Sequence, residues 1–553
     1  MHKYFQLILA IVIGFLIGNY IQPLKSQDNI YHQIKKFQDI LSTADKNYVE
    51  DVDTKKLVEA AIKGMLEELD PHSVYIPAEE MKKVDEDFQG SFDGIGVEFD
   101  MINDTITIVS PIPGGPSEAL GILAGDKIVK IDGIDVIGID RNDVPKKLKG
   151  PKGTKVAIDI KRAASKELLH YVITRDKIPL YSIDAQYIID GTDIGFVEIN
   201  RFSATTHNEL MDALNKLKNQ GMKKLILDLR NNPGGFLAQA YLMADEFIKG
   251  GDTIVYTKGR RSEFDEVYIG TKGGEFEDIP LIVLIDAGSA SASEIVSGAI
   301  QDLDRGLIVG TTSFGKGLVQ RQYQTGDGSA YRLTISKYYT PSGRCIQRSY
   351  KDKDKYRHLA GRLELEEGSY IKDPIEKIQA QVDSLNKGKD PIKDKDYVFF
   401  DSLPLYKTKG KRTVFGGGGI TPDYIVKQDT INHLTRQIFG KDLFNEFTDT
   451  YLKSKGAEIK EKYEVNFLDY VRNYEITNAM ISDFRKLVES KDIKWDEKLY
   501  KEDEDYIKTE MKYYIAIRVW SRSKAQQIFS SVDRQLKKAI ELFPEAMQIS
   551  KLK

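Results

Sequence analysis

Hydrophobic residues change their spacing along the chain, and each change marks a new segment. From Ile30 to about Met81, apolar residues recur at helical spacing, which predicts a small helical cap. From Gly90 to Arg175, short β-branched runs alternate with turn residues, which predicts a β-rich domain with one helix near residues 141–149.

Continuous apolar strands alternate with helices from Tyr181 to about Cys345. This alternation is typical of an α/β core whose sheet is covered on both faces. A stretch rich in lysine and aspartate follows, and it predicts an insertion. The run ITPDYIV at 420–426 predicts a strand that returns to the core, and the rest of the chain reads as charged helices. The predicted fold class is multidomain α+β.

An apolar run from Leu7 to Gly18 follows Lys3 and matches the core of a signal peptide. It is short for a full membrane span of about 20 residues, and no Ala-x-Ala-like cleavage site follows it. We expect export, with this segment kept as an anchor or removed as a signal. The alternative is a buried N-terminal helix.

The composition excludes some classes of function. The chain has 553 residues, enough for about three or four domains. Its 80 basic and 84 acidic side chains nearly balance, so no electrostatic footprint for nucleic acid exists. The single cysteine, Cys345, excludes an intramolecular disulfide and a cysteine-based metal site.

Ser291 lies between the predicted strand PLIVLID and a predicted helix. With Glu294 it fits a capping box, so one complete interpretation is a serine that only caps the helix. The position also suits a nucleophile, because the turn after a strand lies at the sheet edge where α/β folds bind ligands. The next amide, of Ala292, lies at the positive end of the helix and can stabilise an oxyanion.

A serine nucleophile needs a base, and none of the seven histidines stands in a motif-like setting. His207, at a predicted helix start, is the one that falls within the α/β segments. Lys316 lies between two glycines in SFGKGLVQ, and a lysine held in a dry turn becomes accessible as a neutral base. If the segment is extended, Gln320 shares the lysine's face and can orient the amine. A solvated turn lysine is the alternative, and a phosphate loop is disfavoured by the spacing.

The run LDLRNNPGG at 227–235 closes another predicted strand. Its adjacent glycines, Gly234 and Gly235, can present backbone N–H groups to an anion. The alternative is a plain turn between a strand and a helix.

Together these residues resemble a known family, the carboxyl-terminal processing proteases, also called tail-specific proteases. The resemblance extends from about residue 28 to 426, and the 25-residue step from Ser291 to Lys316 fits it. The matching segments are LDPHSVYI at 69–76, LDLRNNPGG, GSASASEIVSGAIQD, GTTSFGKGLVQ, YYTPSGRCIQ at 338–347 and GGITPDYIV at 418–426.

The resemblance implies a serine endopeptidase in which Ser291 is the nucleophile, Lys316 the general base and Gln320 its support. It implies an oxyanion hole formed by the amides of Ala292 and of the glycine pair, most readily Gly235. Ser289 and Ser293 would then be structural, and no metal, nucleotide or other cofactor is implied.

The β-rich segment resembles the PDZ domain that such enzymes carry. The run Gly94-Ile95-Gly96-Val97 is similar to a carboxylate-binding loop, beside which a peptide adds as a strand. The resemblance implies substrates that are exported or membrane proteins with nonpolar C-terminal tails. It leaves open a homo-oligomer or a regulatory partner, and it places the chain at the periplasmic face of the inner membrane.

Two alternatives to this assignment remain: a catalytically inactive PDZ scaffold, and a hydrolase that uses His207 or another histidine. The predicted domains are a signal or anchor at 1–27, helical N-terminal region 28–84, PDZ domain 85–178, protease core 179–347, insertion 348–414, returning core strand 415–430 and helical C-terminal region 431–553.

Overall fold

A computed structural model describes most of the chain. The described residues are 29–162, 165–350, 356, 365–371, 374–388 and 404–551. The expected signal or anchor at 1–27 and much of the expected insertion lie outside them. Within the described ranges, no helix is long and apolar enough to cross a membrane. The chain divides into two compact units, Met1–Pro77 with Gln322–Leu333, and Ala78–Arg321 with Thr334–Lys553.

The first unit contains two helices and a short strand, α1 (Ile30–Asn47), α2 (Thr54–Leu69) and β1 (Val74–Ile76). Between α2 and β1, the Asp70 carboxylate accepts hydrogen bonds from the N–H groups of His72 (2.8 Å) and Ser73 (2.9 Å). This turn starts β1, which pairs antiparallel with residues 330–332. The segment predicted as a small helical cap therefore also contains a short strand.

A β-rich domain opens the second unit, after helix α3 (Ala78–Gln89). Its main sheet has the order β3-β4-β5-β7-β8 with β6 beside β5, and β2 pairs with β9. The elements are β2 (Ser91–Gly94), β3 (Val97–Ile102), β4 (Thr105–Pro111), α4 (Pro116–Ala119), β5 (Lys127–Ile131), β6 (Ile134–Asp135), α5 (Val144–Leu148), β7 (Lys155–Lys161), β8 (Leu169–Thr174) and β9 (Asp176–Pro179). Helix α5 matches the helix predicted near residues 141–149.

A seven-stranded sheet follows, with the order β10-β11-β12-β15-β16-β22-β19. The five strands from β11 to β22 run parallel, and the two edge strands are antiparallel. The strands are β10 (Ile183–Ile188), β11 (Ile194–Ile199), β12 (Lys224–Asp228), β15 (Leu281–Ile285), β16 (Leu307–Gly310), β19 (Gly368–Ser369) and β22 (Tyr424–Ile425). Part of the predicted insertion, β19, thus joins the core sheet.

Alternate residues of each strand enter two separate hydrophobic clusters. Leu227, Val283 and Ile308 pack against helices α6 (Thr206–Asn219), α7 (Leu237–Asp245) and α8 (Ala292–Asp302). Ile226, Leu284 and Val309 pack against α17 (Arg534–Glu541) and α18 (Phe543–Ile549). The last two helices of the chain therefore cover the second face of this sheet, which the predicted single C-terminal region did not indicate.

A second sheet is built around strand β18 (Ala330–Tyr339). Strands β17 (Leu318–Gln324) and β13 (Thr253–Gly259) both pair with β18, and β14 (Val267–Ile269) pairs with β13. The remaining elements are helix α9 (Pro374–Leu385) and a hairpin of β20 (Leu405–Lys407) and β21 (Thr413–Phe415).

The remaining helices form a cluster with its own apolar core, which also takes in Val109 of the β-rich domain. Arg518 and Arg522 of this cluster donate to the Ile108 carbonyl (3.0 Å) and the Glu98 carboxylate (2.6 Å) of the same domain. The helices are α10 (His433–Gly440), α11 (Leu443–Tyr463), α12 (Phe467–Asn473), α13 (Asn478–Ser490), α14 (Glu497–Glu502), α15 (Glu504–Val519) and α16 (Arg522–Ala525).

Candidate active site

Three loops meet at the carboxyl edge of the seven-stranded sheet. Strands β12, β15 and β16 are parallel neighbours, so their carboxyl ends lie side by side. The loop after β12 carries the glycine pair, the loop after β15 carries Ser291, and the loop after β16 carries Lys316. This edge is where α/β sheets bind ligands. Parallel pairing therefore brings together motifs that are far apart in sequence.

Ser291 lies in a sharp turn from strand to helix, with φ 55° and ψ −109°. Few residues other than glycine adopt a positive φ, and the strain of such a backbone is typical of functional turns. Ser289 and Ser293 are fully buried, and their hydroxyls donate to the carbonyls of Leu229 (2.8 Å) and Asn232 (2.9 Å). Ser291 is partly exposed, so of these three serines it is the one presented at the surface of the turn.

The buried Glu294 carboxylate joins the serine turn to the lysine loop. Its Oε2 accepts the N–H groups of Ser291 (2.8 Å) and Lys316 (2.9 Å). Its Oε1 accepts the Ser313 hydroxyl (2.5 Å) and the Gly315 N–H (2.7 Å). Burial raises the pKa of Glu294 to about 7, against the effect of these four hydrogen bonds. The hydrogen bond between Glu294 and Ser291 was predicted as half of a capping box. The hydrogen bonds between Glu294 and the lysine loop were not predicted.

Tyr338 forms a second bridge between the same two backbones. Its hydroxyl oxygen lies 3.1 Å from the Ser291 carbonyl and 2.5 Å from the Lys316 carbonyl. Burial raises the pKa of Tyr338 well above its ordinary value, so the hydroxyl keeps the proton that it donates. Sequence reasoning placed Tyr338 in a matching motif without a role.

Close packing determines the path of the lysine loop. Gly315 has φ 86°, and a Cβ there would stand 2.6 Å from the Arg348 side chain. A Cβ on Gly317 would stand 2.9 Å from the Gln347 nitrogen, and the Gly317 N–H donates to the Gln347 side chain at 2.8 Å. Packing therefore favours glycine on both sides of Lys316, and at Gly315 the positive φ favours it as well.

Gln320 lies in β17, which begins at Leu318, two residues after Lys316. Its side-chain nitrogen is buried and has no hydrogen-bond partner in the part of the chain that the structure describes. A buried amide without a partner is unusual and has donor capacity to spare. Gln320 is thus able to bind a further group near the lysine loop.

The backbone N–H groups of Ala292, which follows Ser291, and of Gly235, in the loop after β12, have no acceptor among the described residues. The Gly234 N–H instead donates to the Asn232 side chain at 2.9 Å, so Gly234 does not supply the oxyanion donor that we also expected there. Its role is close approach, because a Cβ on Gly234 would stand 2.8 Å from the Ser291 Cβ.

His207 is the second residue of α6. Its Nε2 lies 2.8 Å from Glu246 Oε1, and its backbone N–H donates to the Gln239 side chain. None of the contacts observed in the described residues joins His207 to Ser291. The structure therefore offers no support for a histidine base at this position.

The loop between β2 and β3 in the β-rich domain has unused donors. The Ile95 carbonyl accepts the N–H (3.2 Å) and the hydroxyl (2.6 Å) of Ser117, while the N–H groups of Ile95 and Gly96 have no acceptor among the described residues. Gly94 ends β2 and Val97 begins β3. Strand β3 pairs only with β4 among the described strands, so its other edge is open to an added strand.

Comparison with family models and with known proteins agrees with this architecture. Peptidase family S41 matches residues 193–355, a PDZ domain matches 107–162, and an activating protease CtpB N-terminal domain matches 19–80. Residues 434–521 match a family of unknown function.

A carboxy-terminal-processing protease from Bartonella bacilliformis is 42% identical over 327 residues, which are 58% of this chain and 74% of that protein. The carboxy-terminal processing protease CtpA of Bacillus subtilis is 36% identical over 348 residues, 62% of this chain and 74% of that protein. The chain belongs to the carboxy-terminal processing proteases of peptidase family S41. It is a protease with a PDZ domain, and the predicted multidomain α+β fold is confirmed.

Two solved structures are also similar. The photosystem II D1 C-terminal processing protease is 28% identical, with a TM-score of 0.32, and the match covers 56% of this chain and 89% of that one. The PDZ domain of a Vibrio cholerae carboxy-terminal protease in complex with a peptide is 36% identical, with a TM-score of 0.15, and the match covers 16% and 99%.

Proposed function

We propose that this protease is a serine endopeptidase in which Ser291 is the nucleophile and Lys316 the general base. The observation that carries the proposal is the position of Glu294 Oε2, which accepts hydrogen bonds from the backbones of both residues. One oxygen atom thus fixes the nucleophile turn and the base loop relative to each other. A buried link of this kind holds two reacting groups in place, which is a large part of catalysis.

In the proposed reaction, the neutral Lys316 amine removes the proton of the Ser291 hydroxyl as its oxygen attacks the peptide carbonyl carbon. The N–H groups of Ala292 and Gly235 then stabilise the oxyanion, because they lack other acceptors among the described residues. The lysine returns its proton to the leaving amine, and water hydrolyses the acyl-enzyme. The side-chain oxygen of Gln320 accepts one N–H of the Lys316 amine and so orients it, which leaves the nitrogen lone pair free to take the Ser291 proton.

The PDZ domain is proposed to bind the C-terminal tail of the substrate. A tail that pairs with the open edge of β3 places its carboxylate near the N–H groups of Ile95 and Gly96, which have no acceptor among the described residues. The substrates are proposed to be exported or membrane proteins with nonpolar tails, met at the periplasmic face of the inner membrane. Fractionation of cells that express the tagged chain tests this location.

Intact-mass analysis of tagged peptides tests the chemistry and the tail preference together. The purified chain is incubated with peptides that end in nonpolar or in acidic residues. We expect cleavage of the nonpolar-tailed peptide by the wild type and by His207→Ala, and none by Ser291→Ala or Lys316→Ala.

Two results would redirect the proposal. Undiminished cleavage by Ser291→Ala would exclude the dyad. Tail binding without cleavage by the wild type would favour an inactive PDZ scaffold.

A further inference from the structure

Arg230, in the loop after β12, is held by Asp228 beside it and by two residues from one distant part of the chain. Its guanidinium binds the Asp228 carboxylate through Nε (2.9 Å) and lies 2.8 Å from the Asp533 carboxylate. A further donor reaches the Gln535 side chain at 2.9 Å, across 305 positions of sequence. The Arg230 side chain is only 14% exposed, so its donors are largely committed to these three partners.

The backbone that follows Arg230 leads directly to the proposed oxyanion hole. The Asn231 N–H donates to Asp286 at 2.9 Å. The Asn232 carbonyl accepts the Ala290 N–H (3.0 Å) and the Ser293 hydroxyl (2.9 Å) of the serine turn. A shift of Arg230 therefore moves a loop that is bonded to both sides of Ser291.

The two distant partners lie on a rigid element. The Asp533 side chain caps α17 by accepting the Leu536 N–H at 3.0 Å. Gln535 is buried, and its amide donates to the Val426 carbonyl at 2.6 Å. Leu536 and Ala539 pack on the second face of the core sheet. Asp533 and Gln535 are thus held independently of Arg230.

The charges around Arg230 make its position sensitive to Asp533. Asp228 is fully buried, and burial raises its pKa while the neighbouring guanidinium opposes that shift. Asp228 and Asp533 share one guanidinium nitrogen, Nη2, which lies 2.8 Å from the Asp533 carboxylate. Without the Asp533 charge, Asp228 alone attracts this nitrogen, because a donor shared by two carboxylates is positioned by both.

We propose that Asp533 and Gln535, at the start of the C-terminal helix α17, are positioning residues that keep the Gly235 amide aligned with Ser291 by holding Arg230. The proposal rests on the proposed function, since it assigns the oxyanion role to Gly235. It makes the C-terminal helix part of the catalytic apparatus, although α17 contributes no catalytic residue.

Asp533→Asn tests this with little disturbance of the helix. Asparagine is as good a helix cap as aspartate, so α17 keeps its start while the charge opposite Arg230 is lost. We expect kcat for a quenched peptide to fall roughly 10- to 100-fold, with unchanged KM and an unchanged thermal midpoint. Asp533→Ser, which also caps, replaces it if the asparagine variant is poorly folded.

Arg534→Gln is the matched control, because it removes exposed ion pairs to Glu367 and Asp429 from the same helix without touching Arg230. Its kcat should equal that of the wild type. A double-mutant comparison shows whether Asp533 acts through Arg230: in an Arg230→Gln background, Asp533→Asn should have no further effect on kcat.

Three outcomes would overturn the positioning role: wild-type kcat for Asp533→Asn, a change confined to KM, or an undiminished effect in the Arg230→Gln background. Failure of the dyad is recognised separately, because it appears as full activity of Ser291→Ala. If Ser291→Ala is inactive while Asp533→Asn keeps the kcat of the wild type, the dyad stands and only the positioning role of Asp533 is rejected.

Discussion

Glu294→Gln is the sharpest test of the link between the nucleophile turn and the base loop. Four donors surround the carboxylate, two at each oxygen, and the variant replaces one of these oxygens with an NH₂ group. If the NH₂ faces Ser291 and Lys316, two backbone donors lose their acceptor. If it faces the other side, the Ser313 hydroxyl can turn to accept, and only the Gly315 N–H is left unsatisfied.

The second orientation is therefore preferred, and its cost is about 1–3 kcal/mol for one buried donor. This cost is offset because the variant no longer buries a charged carboxylate. Burial raises the pKa of Glu294 from 4.5 to about 7, which corresponds to about 3 kcal/mol at pH 8. The two terms nearly cancel, so we expect a free energy of unfolding within about 2 kcal/mol of the wild type.

Activity should fall although the fold is retained. A neutral amide oxygen binds the N–H groups of Ser291 and Lys316 more weakly than a carboxylate does, and a displaced Gly315 shifts the lysine. We expect kcat to fall roughly 10- to 100-fold with little change in KM. Steady-state cleavage of an internally quenched peptide at pH 8 measures kcat and KM, and the thermal midpoint measures whether the fold is retained.

Glu510→Gln is the matched control, because Glu510 is also buried and burial also raises its pKa to about 7. It lies in α15 of the C-terminal helical cluster, so its kcat should be unchanged. Wild-type kcat for Glu294→Gln, or an equal loss in Glu510→Gln, would refute the link.

Three further predictions follow from the same geometry. Gly235→Ala should lower kcat by more than about 100-fold or prevent folding, because its Cβ would stand 2.1 Å from the Phe202 carbonyl oxygen. Gly191→Ala, in open space at φ 73°, should keep wild-type kcat and cost about 1–2 kcal/mol in urea unfolding. Tyr338→Phe removes the donor shared by the two site carbonyls, so urea unfolding should show a loss of about 1 kcal/mol, and peptide cleavage a several-fold lower kcat. Between pH 4.5 and about 7, Glu294 is protonated in the folded chain and ionised in the unfolded chain. The free energy of unfolding should therefore fall by up to about 3 kcal/mol as the pH rises through this range. The difference between thermal midpoints at pH 5 and pH 8 should accordingly be smaller in Glu294→Gln.

The sequence by itself determined the local features of this protein. Apolar spacing indicated the β-rich domain, the α/β core and the helical end of the chain, because side-chain direction repeats with the local backbone period. The bond between Glu294 and Ser291 was predictable for the same reason, since a capping box joins residues three positions apart. The glycines around Lys316 likewise indicated a turn.

Only the tertiary structure decided which distant residues surround the site. The order of the parallel strands brings the loops after β12, β15 and β16 to one edge, and local periodicity does not specify that order. The same packing brings Glu294 to the lysine loop, Tyr338 between two carbonyls, and Asp533 to Arg230. It also places α17 and α18 on the sheet, where a pattern of charged helices had suggested a separate region. Such contacts depend on how whole elements pack, because each is made between residues whose separation in sequence carries no periodic signal.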